Sequence, residues 1–267
     1  MGCKLGTVID AVEEIVPRDI AENWDNSGMQ VGDRDWQIQK IWVALDPLPE
    51  VISAACQGNV DLVITHHPLI LKPLSTIDIG TLEGSVIQRS LGHHVAIYSA
   101  HTNLDRITDG VNDTLASRIG LRHITSLSMD MDSGQPGFGR IGELTQPTPF
   151  AVLADNLKRV LNLGHIKAAG NLDMSIRTVA VCSGSGSSMV GAFLNSGADA
   201  FISGDLRYHD ARNIEFARKA LIDIGHFASE HLIVETFAEG LKRHFQSKGL
   251  TLVVEPYMSE KDPFVIF

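Results

Sequence analysis

Apolar residues along this chain follow two alternating spacings. Residues 7–20 carry valine and isoleucine at the spacing of one helix face, with Glu13 and Glu14 on the opposite face. Elsewhere, short continuous runs of β-favouring apolar residues end at glycine, proline or histidine, as in residues 60–65. Strands that alternate with helices in this way predict βαβ units and a mainly parallel sheet.

The two patterns together predict the order of the elements. The apolar runs predict strands at residues 38–45, 60–65, 95–100, 177–182, 200–203, 220–224 and 250–254. The amphipathic stretches predict helices at residues 7–20, 50–57, 82–91, 111–119, 150–161, 189–195 and 211–219, and a long last helix that ends near residue 246. Residues 122–149 show a different pattern, and residues 129–140 within them look loop-like and rich in glycine. We therefore predict an α/β protein of two similar lobes, residues 1–125 and 149–267, joined by a loop at 126–148. Whether the last strand and the C-terminus pack on the second lobe or back on the first is left open.

The second half of the chain repeats the plan of the first. Residues 59–67 align with residues 197–205, and residues 95–101 align with residues 220–226. The corresponding pairs are Asp61 and Asp199, His67 and Asp205, His101 and His226, and Asp105 and Glu230. Ligands of α/β sheets bind at the carboxyl ends of the strands, so the repeat predicts pseudo-symmetric lobes whose strand ends face a common cleft.

Imidazoles and carboxylates collect at these predicted strand ends. His66 and His67 end a buried strand, and Pro68 forces a turn that lets two adjacent imidazoles serve one site. The proposed metal ligands are His66, His67, Asp105, His226 and Glu230. Imidazole with carboxylate suits Zn, Fe, Mn, Co or Ni. Five ligands exceed the usual three of a mononuclear catalytic zinc, so a bridging carboxylate and two divalent ions in the cleft are predicted.

His101 has two possible roles, as a further ligand or as a general acid/base. We favour the acid/base role, because five ligands already suffice and a hydrolase needs a proton donor. The residues predicted to bind substrate are Asp25, Asn26, Gln30, Ser185, Gly186 and His209. The first three belong to the polar loop after Trp24, for which an ordinary turn is the alternative. The serine–glycine turn suits an anion, although it lacks the lysine of a P-loop.

Composition limits the classes of function. The chain has 267 residues, of which 44% are apolar and 20% are charged, and its net charge is -10. This acidic balance argues against broad binding to nucleic acid, which needs a basic surface. The three cysteines form no CxxC pair, which favours a reducing compartment. The N-terminal stretch is amphipathic and no apolar run approaches membrane-spanning length, so we predict a cytoplasmic protein without a signal peptide.

Several segments together resemble the YbgI-like, or NIF-three-like, dinuclear-metal proteins, which are also called GTP cyclohydrolase 1 type 2 homologues. The segments are residues 24–32, 61–69, 99–105, 137–144, 203–209, 225–230 and 262–264. The resemblance covers essentially the whole chain and implies two α/β lobes with a two-metal cluster between them. It implies the same five ligands and a toroidal homohexamer, a trimer of dimers. The inserted ferredoxin-like domain of some members does not fit, because residues 122–149 are too few.

The function expected from these residues is a metal-dependent hydrolase that uses a metal-activated water. The resemblance implies ring opening of the GTP cyclohydrolase kind on a nucleotide, and hydrolysis of a phosphorylated substrate is the nearest variant. The alternative from another class is a non-catalytic metal-binding scaffold, metal carrier or regulatory interaction protein. A purely structural metal site is less favoured, since such sites are usually four-coordinate and rich in cysteine.

Overall fold

A computed structural model describes residues 2–129 and 137–266 of the protein. The strands are β1 (Cys3–Lys4), β2 (Gly28–Val31), β3 (Gln37–Ile38), β4 (Lys40–Ala44), β5 (Leu62–Thr65), β6 (Ala96–Ser99), β7 (Arg122–Ser126), β8 (Arg140–Pro149), β9 (Lys167–Ala169), β10 (Ser175–Ser185), β11 (Ala200–Gly204), β12 (Ala220–Asp223) and β13 (Val253–Pro256). The helices are α1 (Leu5–Ile15), α2 (Pro49–Gln57), α3 (Leu82–His93), α4 (Thr102–Arg106), α5 (Val111–Arg118), α6 (Phe150–Val160), α7 (Val190–Asn195), α8 (Tyr208–Phe216), α9 (His226–Glu230) and α10 (Leu232–Ser247).

The described residues divide into two compact units. The first unit contains the chain up to Leu104 and the segment Ile233–Lys261, and the second contains the described residues of Asp105–Leu232 and those from Asp262 onward. The chain therefore leaves the first unit within α4 and returns to it at the beginning of α10. No helix among the described residues is long and apolar enough to cross a membrane.

The first unit contains a five-stranded sheet in the order β13-β4-β5-β6-β2. Neighbouring pairs among β13, β4, β5 and β6 are parallel, and only β2 pairs antiparallel, with β6. All four residues of both β5 and β6 are buried, as expected for strands covered on both faces, and this explains why they appear as continuous apolar runs. The carboxyl ends of these central strands carry the histidines described below.

The second unit contains a six-stranded sheet in the order β7-β8-β10-β11-β12-β9. The central strands β10, β11 and β12 are parallel, whereas β8, β7 and β9 are joined by antiparallel pairings. The two sheets confirm the predicted α/β class with mostly parallel central strands. The pseudo-symmetry of the lobes and the cleft between them stay predictions.

Asp61 and Asp199 make the same contacts, each within its own unit. Asp61 Oδ2 accepts hydrogen bonds from two successive backbone N–H groups at the beginning of β4, at 2.8 and 2.9 Å. Asp199 Oδ2 accepts two from the beginning of β10, both at 2.8 Å. Each aspartate precedes a central strand and fixes the beginning of the strand beside it. Their correspondence in the sequence therefore reflects a structural role.

Residues 122–149, which contain the connecting loop predicted at 126–148, also contain two strands. β7 and β8 occupy much of this stretch and pair with each other, and β8 also pairs with β10. Both strands are only partly buried, so they lack the continuous apolar run from which the other strands were predicted. Residues 130–136 of the predicted loop lie outside the described residues. The predicted last helix is also divided, into α9 and α10.

Candidate metal centre

Three histidines of the first unit lie at the carboxyl ends of neighbouring parallel strands. His66 and His67 follow β5, and His101 follows β6. Ligand atoms of the three imidazoles lie within 4.8 Å of one another. The backbone N–H groups of His66 and His67 donate to two successive carbonyls at the end of β4, at 3.2 and 2.9 Å. The sheet hydrogen bonding thus continues past the strand end and holds both histidines.

Each of these imidazoles has an oxygen acceptor at Nδ1. The acceptors are Ala100 O for His66 at 2.9 Å, Asp46 Oδ1 for His67 at 2.8 Å and Asp25 Oδ1 for His101 at 2.8 Å. An oxygen acceptor keeps the proton on Nδ1, which leaves the lone pair of Nε2 for a metal ion or for proton transfer. This arrangement is the usual one for histidines that bind metals through Nε2.

Asp25 lies beneath His101 with its side chain fully enclosed. Besides His101 Nδ1, its carboxylate accepts hydrogen bonds from Thr102 N at 3.1 Å, Thr102 Oγ1 at 2.5 Å and Ser27 Oγ at 2.9 Å. Burial by itself would raise the pKa of Asp25, but the bonds from His101, Thr102 and Ser27 outweigh it and hold the pKa well below its usual range. The Asn26 backbone N–H also donates to Oδ1, at 2.7 Å, so five donors occupy the acceptor capacity of this carboxylate. These contacts give Asp25 the role of orienting His101, and its predicted contact with substrate stays a prediction.

Asn26 and Gln30, which were also predicted to bind substrate, contact the segment that follows His67. Asn26 Nδ2 donates to Ile70 O at 2.6 Å, and Gln30 Oε1 accepts from Ile70 N at 3.1 Å. Gln30 Nε2 also donates to Asn26 O at 2.6 Å. Gln30 lies in β2, where the sequence predicted a loop, so the loop before β2 and β2 itself together anchor the backbone beyond Pro68.

A cavity of about 420 Å³ lies beside His67. Its polar lining residues are Asp46, His67, Lys72 and Glu83, and most of its apolar lining residues lie in residues 68–74. A volume of this size is within the range of small-molecule pockets. The first unit therefore combines a group of three oriented imidazoles with space for a ligand next to one of them.

The second unit contains a group of two carboxylates and one imidazole. His226 and Glu230 stand one turn apart in α9, and His226 Nε2 lies 2.9 Å from Glu230 Oε2. Asp205 Oδ2 is the acceptor at His226 Nδ1, at 2.7 Å, so this imidazole has the same orientation pattern as the other three. Asp105 and Glu230 are both buried, with exposed fractions of 9% and 4%. Buried carboxylates next to an imidazole form a donor set that suits a divalent ion.

The glycine-containing turn at the end of β10 packs against these carboxylates. Gly184 has a φ of 61°, and a Cβ at this position would lie 2.1 Å from Glu230 Oε1. Ser183 Oγ lies 3.4 Å from Asp105 Oδ1. Burial raises the pKa of the Cys182 thiol, and the charges of Asp105 and Glu230 raise it further. Glycine at position 184 is therefore explained by the space that Glu230 needs.

The other residues predicted to bind substrate have less distinctive surroundings. Ser185 is exposed. A Cβ on Gly186 would lie 2.0 Å from Ser203 Oγ, so close packing accounts for this glycine. His209 is exposed in α8, and its ring centroid lies 5.4 Å from that of Tyr208. These positions give no contact that assigns them to a ligand.

Three carboxylates that orient the histidines were not predicted in that role from the sequence. Asp46 was not considered, Asp205 was noted only as the counterpart of His67, and Asp25 was assigned to substrate. A signal was present for two of them, because Asp46 comes just after β4 and Asp205 directly follows β11. An aspartate at the carboxyl end of a parallel strand lies beside the histidines that end the neighbouring strands.

Comparisons with known proteins give a consistent picture. The family described as Duf34/NIF3 (NGG1p interacting factor 3) matches residues 3–263. The chain is 34% identical over 261 residues to a Clostridium perfringens protein named "GTP cyclohydrolase 1 type 2 homolog", with 98% of each chain covered. It is 29% identical to "NIF3-like protein 1" of Drosophila melanogaster, covering 99% of this chain and 89% of the relative.

Solved structures resemble this chain over nearly its full length. The crystal structure of Staphylococcus aureus hypothetical protein SA1388 has a TM-score of 0.94 and 25% identity, and 100% of each chain is covered. Reduced HcgD from Methanocaldococcus jannaschii has a TM-score of 0.79 and 29% identity, with 95% of this chain and 97% of that chain covered. These likenesses show the fold.

Proposed function

Because the chain belongs to the Duf34/NIF3 family, we propose that it is a metal-dependent hydrolase that holds two divalent ions. The proposed ligands are His66, His67, Asp105, His226 and Glu230. The observation that supports the proposal is the orientation of the imidazoles, each of which has an oxygen acceptor at Nδ1. A histidine that serves only packing does not require this arrangement, and its occurrence in four histidines at three strand or helix ends favours metal binding.

Metal ions bound at this centre would lower the pKa of water to near neutrality and polarise the electrophilic group of the substrate. The chain itself supplies the proton transfer. His101 is held by the ionised Asp25, which stabilises the imidazolium form after His101 accepts a proton at Nε2. His101 then donates that proton to the leaving group. Asp25 keeps the imidazole in one tautomer throughout, so the acceptor atom faces the same direction in every cycle.

The proposed substrate is a nucleotide or another phosphorylated small molecule. The support is the name "GTP cyclohydrolase 1 type 2 homolog" given to relatives that cover nearly the whole chain. Ring opening of a purine nucleotide and hydrolysis of a phosphoester both need an activated water and a proton donor, which the same residues would provide.

The test is to purify the protein without added metal, determine its metal content, and assay it with GTP and p-nitrophenyl phosphate. We expect two ions per chain and turnover that chelation abolishes. His101→Ala should lower kcat by about 10²–10⁴-fold while the metal content is kept. The matched control is His93→Ala, which changes an exposed histidine at the end of α3 and should leave kcat and the metal content unchanged.

Two outcomes would contradict parts of this proposal. A single ion per chain in every preparation would contradict the dinuclear centre. Full occupancy without turnover of either substrate, with His101→Ala identical to the wild type, would contradict the hydrolase and favour a metal carrier or interaction protein.

We also propose that the protein assembles as a homohexamer, a trimer of dimers. The support is the resemblance of its sequence motifs to the YbgI-like proteins. Light scattering coupled to gel filtration should give six times the mass of one chain, and a monomer or dimer at micromolar concentration would contradict the assembly.

A further inference from the structure

Glu260 contacts the backbone at the carboxyl end of β4. Its two carboxylate oxygens accept hydrogen bonds from Leu45 N and Asp46 N, both at 2.8 Å. A carboxylate that accepts from two successive backbone N–H groups forms two charge-assisted bonds, which are stronger than bonds between neutral groups. Glu260 is only partly exposed, so water competes weakly for these bonds.

The segment that leads to Glu260 is fixed along the length of β4. β13 pairs in parallel with β4, and the next residue, Tyr257, donates its N–H to Val43 O at 2.8 Å. The Tyr257 ring also stacks on Trp42, with 4.9 Å between ring centroids. Glu260 is therefore delivered to the end of β4 by an ordered segment.

The backbone that Glu260 holds is connected to His67 in two ways. Asp46 Oδ1 is the acceptor at His67 Nδ1, at 2.8 Å, and His67 N donates to Leu45 O at 2.9 Å. A shift of the Leu45–Asp46 peptide would move both acceptors of His67 together.

We propose that Glu260 is a positioning residue for the metal centre, which acts through the Leu45–Asp46 backbone to fix the Asp46 carboxylate and thereby the imidazole of His67. The inference rests on the proposed function in so far as His67 binds metal. Partners that orient a metal-binding histidine typically change metal affinity by about 10–100-fold when they are removed. Glu260 acts one step further away, so its removal should reach the lower end of that range, about tenfold.

The first measurement is Zn²⁺ affinity by competition with a chromophoric chelator. Asp46→Ala and Glu260→Ala should each weaken binding, and the double variant should lose less than the product of the two single losses, because Glu260 acts mainly through the Asp46 carboxylate. Glu260→Gln keeps an oxygen acceptor and should restore part of the loss. The matched control is Glu255→Ala on β13, whose carboxylate contacts Lys40 and Trp42 and should leave the affinity within about twofold of the wild type.

The second measurement needs no metal. Long-range ¹H–¹⁵N spectra of the metal-free protein should show His67 as one tautomer, with the proton on Nδ1, and Glu260→Ala should convert it to a mixture. A merely structural role of Glu260 would lower stability without changing this tautomer. Unchanged His67 signals, or losses of affinity that multiply in the double variant, would overturn the inference. A protein that binds Zn²⁺ normally but hydrolyses no substrate would contradict the proposed hydrolase activity and leave the role of Glu260 intact.

Discussion

Both units have parallel central strands, but the carboxyl ends of these strands carry different side chains in the two units. In the first unit, β5 and β6 end in histidines, and three imidazoles gather there. In the second unit, β11 ends in Gly204 followed by Asp205, and the only imidazole of its candidate group begins α9. The buried charge of the second group comes from Asp105 and Glu230. One unit therefore offers mainly neutral nitrogen donors and the other mainly anionic oxygen donors.

The aspartates show which part of the repeat is structural. Asp61 and Asp199 make equal pairs of hydrogen bonds to the backbone in their own units. Asp205 corresponds in sequence to His67, yet it orients His226 in the same way that Asp46 orients His67. The matching aspartates before the strands have the same role in both units. At the carboxyl ends, a proposed ligand in the first unit corresponds to an orienting carboxylate in the second.

The largest effect is expected for Arg140, a buried arginine of the second unit. Its guanidinium is 4% exposed and contacts Asp113 Oδ2 at 2.7 Å. It also donates to the carbonyl oxygens of Arg106, Ile107, Gly137 and Gly139. Arg140→Ala removes the ion pair and all of these hydrogen bonds from a buried position, so the free energy of unfolding should fall by about 3–5 kcal/mol in urea denaturation.

The control for Arg140 is Arg177→Ala, which removes an exposed arginine paired with Glu143 in the same sheet. It should change the unfolding midpoint little, because exposed ion pairs contribute little. Equal losses for the two variants would contradict the structural role of Arg140. A specific loss would show that the second unit depends on a buried ion pair to support the helix end beyond Asp105.

The second-largest effect is expected for Gly184→Ala, which tests the carboxylates of the second unit apart from the imidazoles of the first. Gly184→Ala places a Cβ where Glu230 Oε1 now lies and forces an L-residue into a left-handed conformation. That conformation costs about 1–2 kcal/mol, and the displaced Glu230 should weaken metal binding by about tenfold or more. Titration calorimetry with Zn²⁺ measures the binding, and thermal denaturation measures the stability.

Gly191→Ala is the control for Gly184→Ala, because Gly191 lies in α7 and an added Cβ would meet no atom within 4 Å. It should raise stability by up to about 1 kcal/mol and leave metal binding unchanged. Normal Zn²⁺ affinity in Gly184→Ala would mean that Glu230 is not needed as a ligand. The second unit would then have one anionic donor fewer than the two assigned to it.

The buried parts of the fold and of the candidate site were predictable from the sequence. β5 is a continuous apolar run that ends in two histidines, so both the strand and its chemistry are visible in one stretch. The partner carboxylates Asp105 and Glu230 follow their strand-end histidines by four residues, which made them visible as well. Short local patterns of this kind need no knowledge of the tertiary structure.

The remaining features depend on contacts between distant segments. β8 is half exposed, so its pairing with β10 leaves no apolar run in the sequence. Glu260 lies more than two hundred residues from Asp46, and nothing near it in the sequence indicates that it binds the end of β4. The role of Gly184 likewise appears only when α9 is placed against β10. Such roles are set by packing, which sequence spacing does not reveal.

The smallest effect tests the shared framework directly. Asp61→Ala and Asp199→Ala each remove two hydrogen bonds to successive backbone N–H groups, so each should lower the free energy of unfolding by about 1–2 kcal/mol, with metal affinity unchanged. Asp61→Asn and Asp199→Asn keep an acceptor oxygen and should lose less. Urea denaturation measures all four variants. Equal losses in the two units would support a common structural role, whereas a loss confined to one unit would mean that the matching contacts do not carry matching free energies.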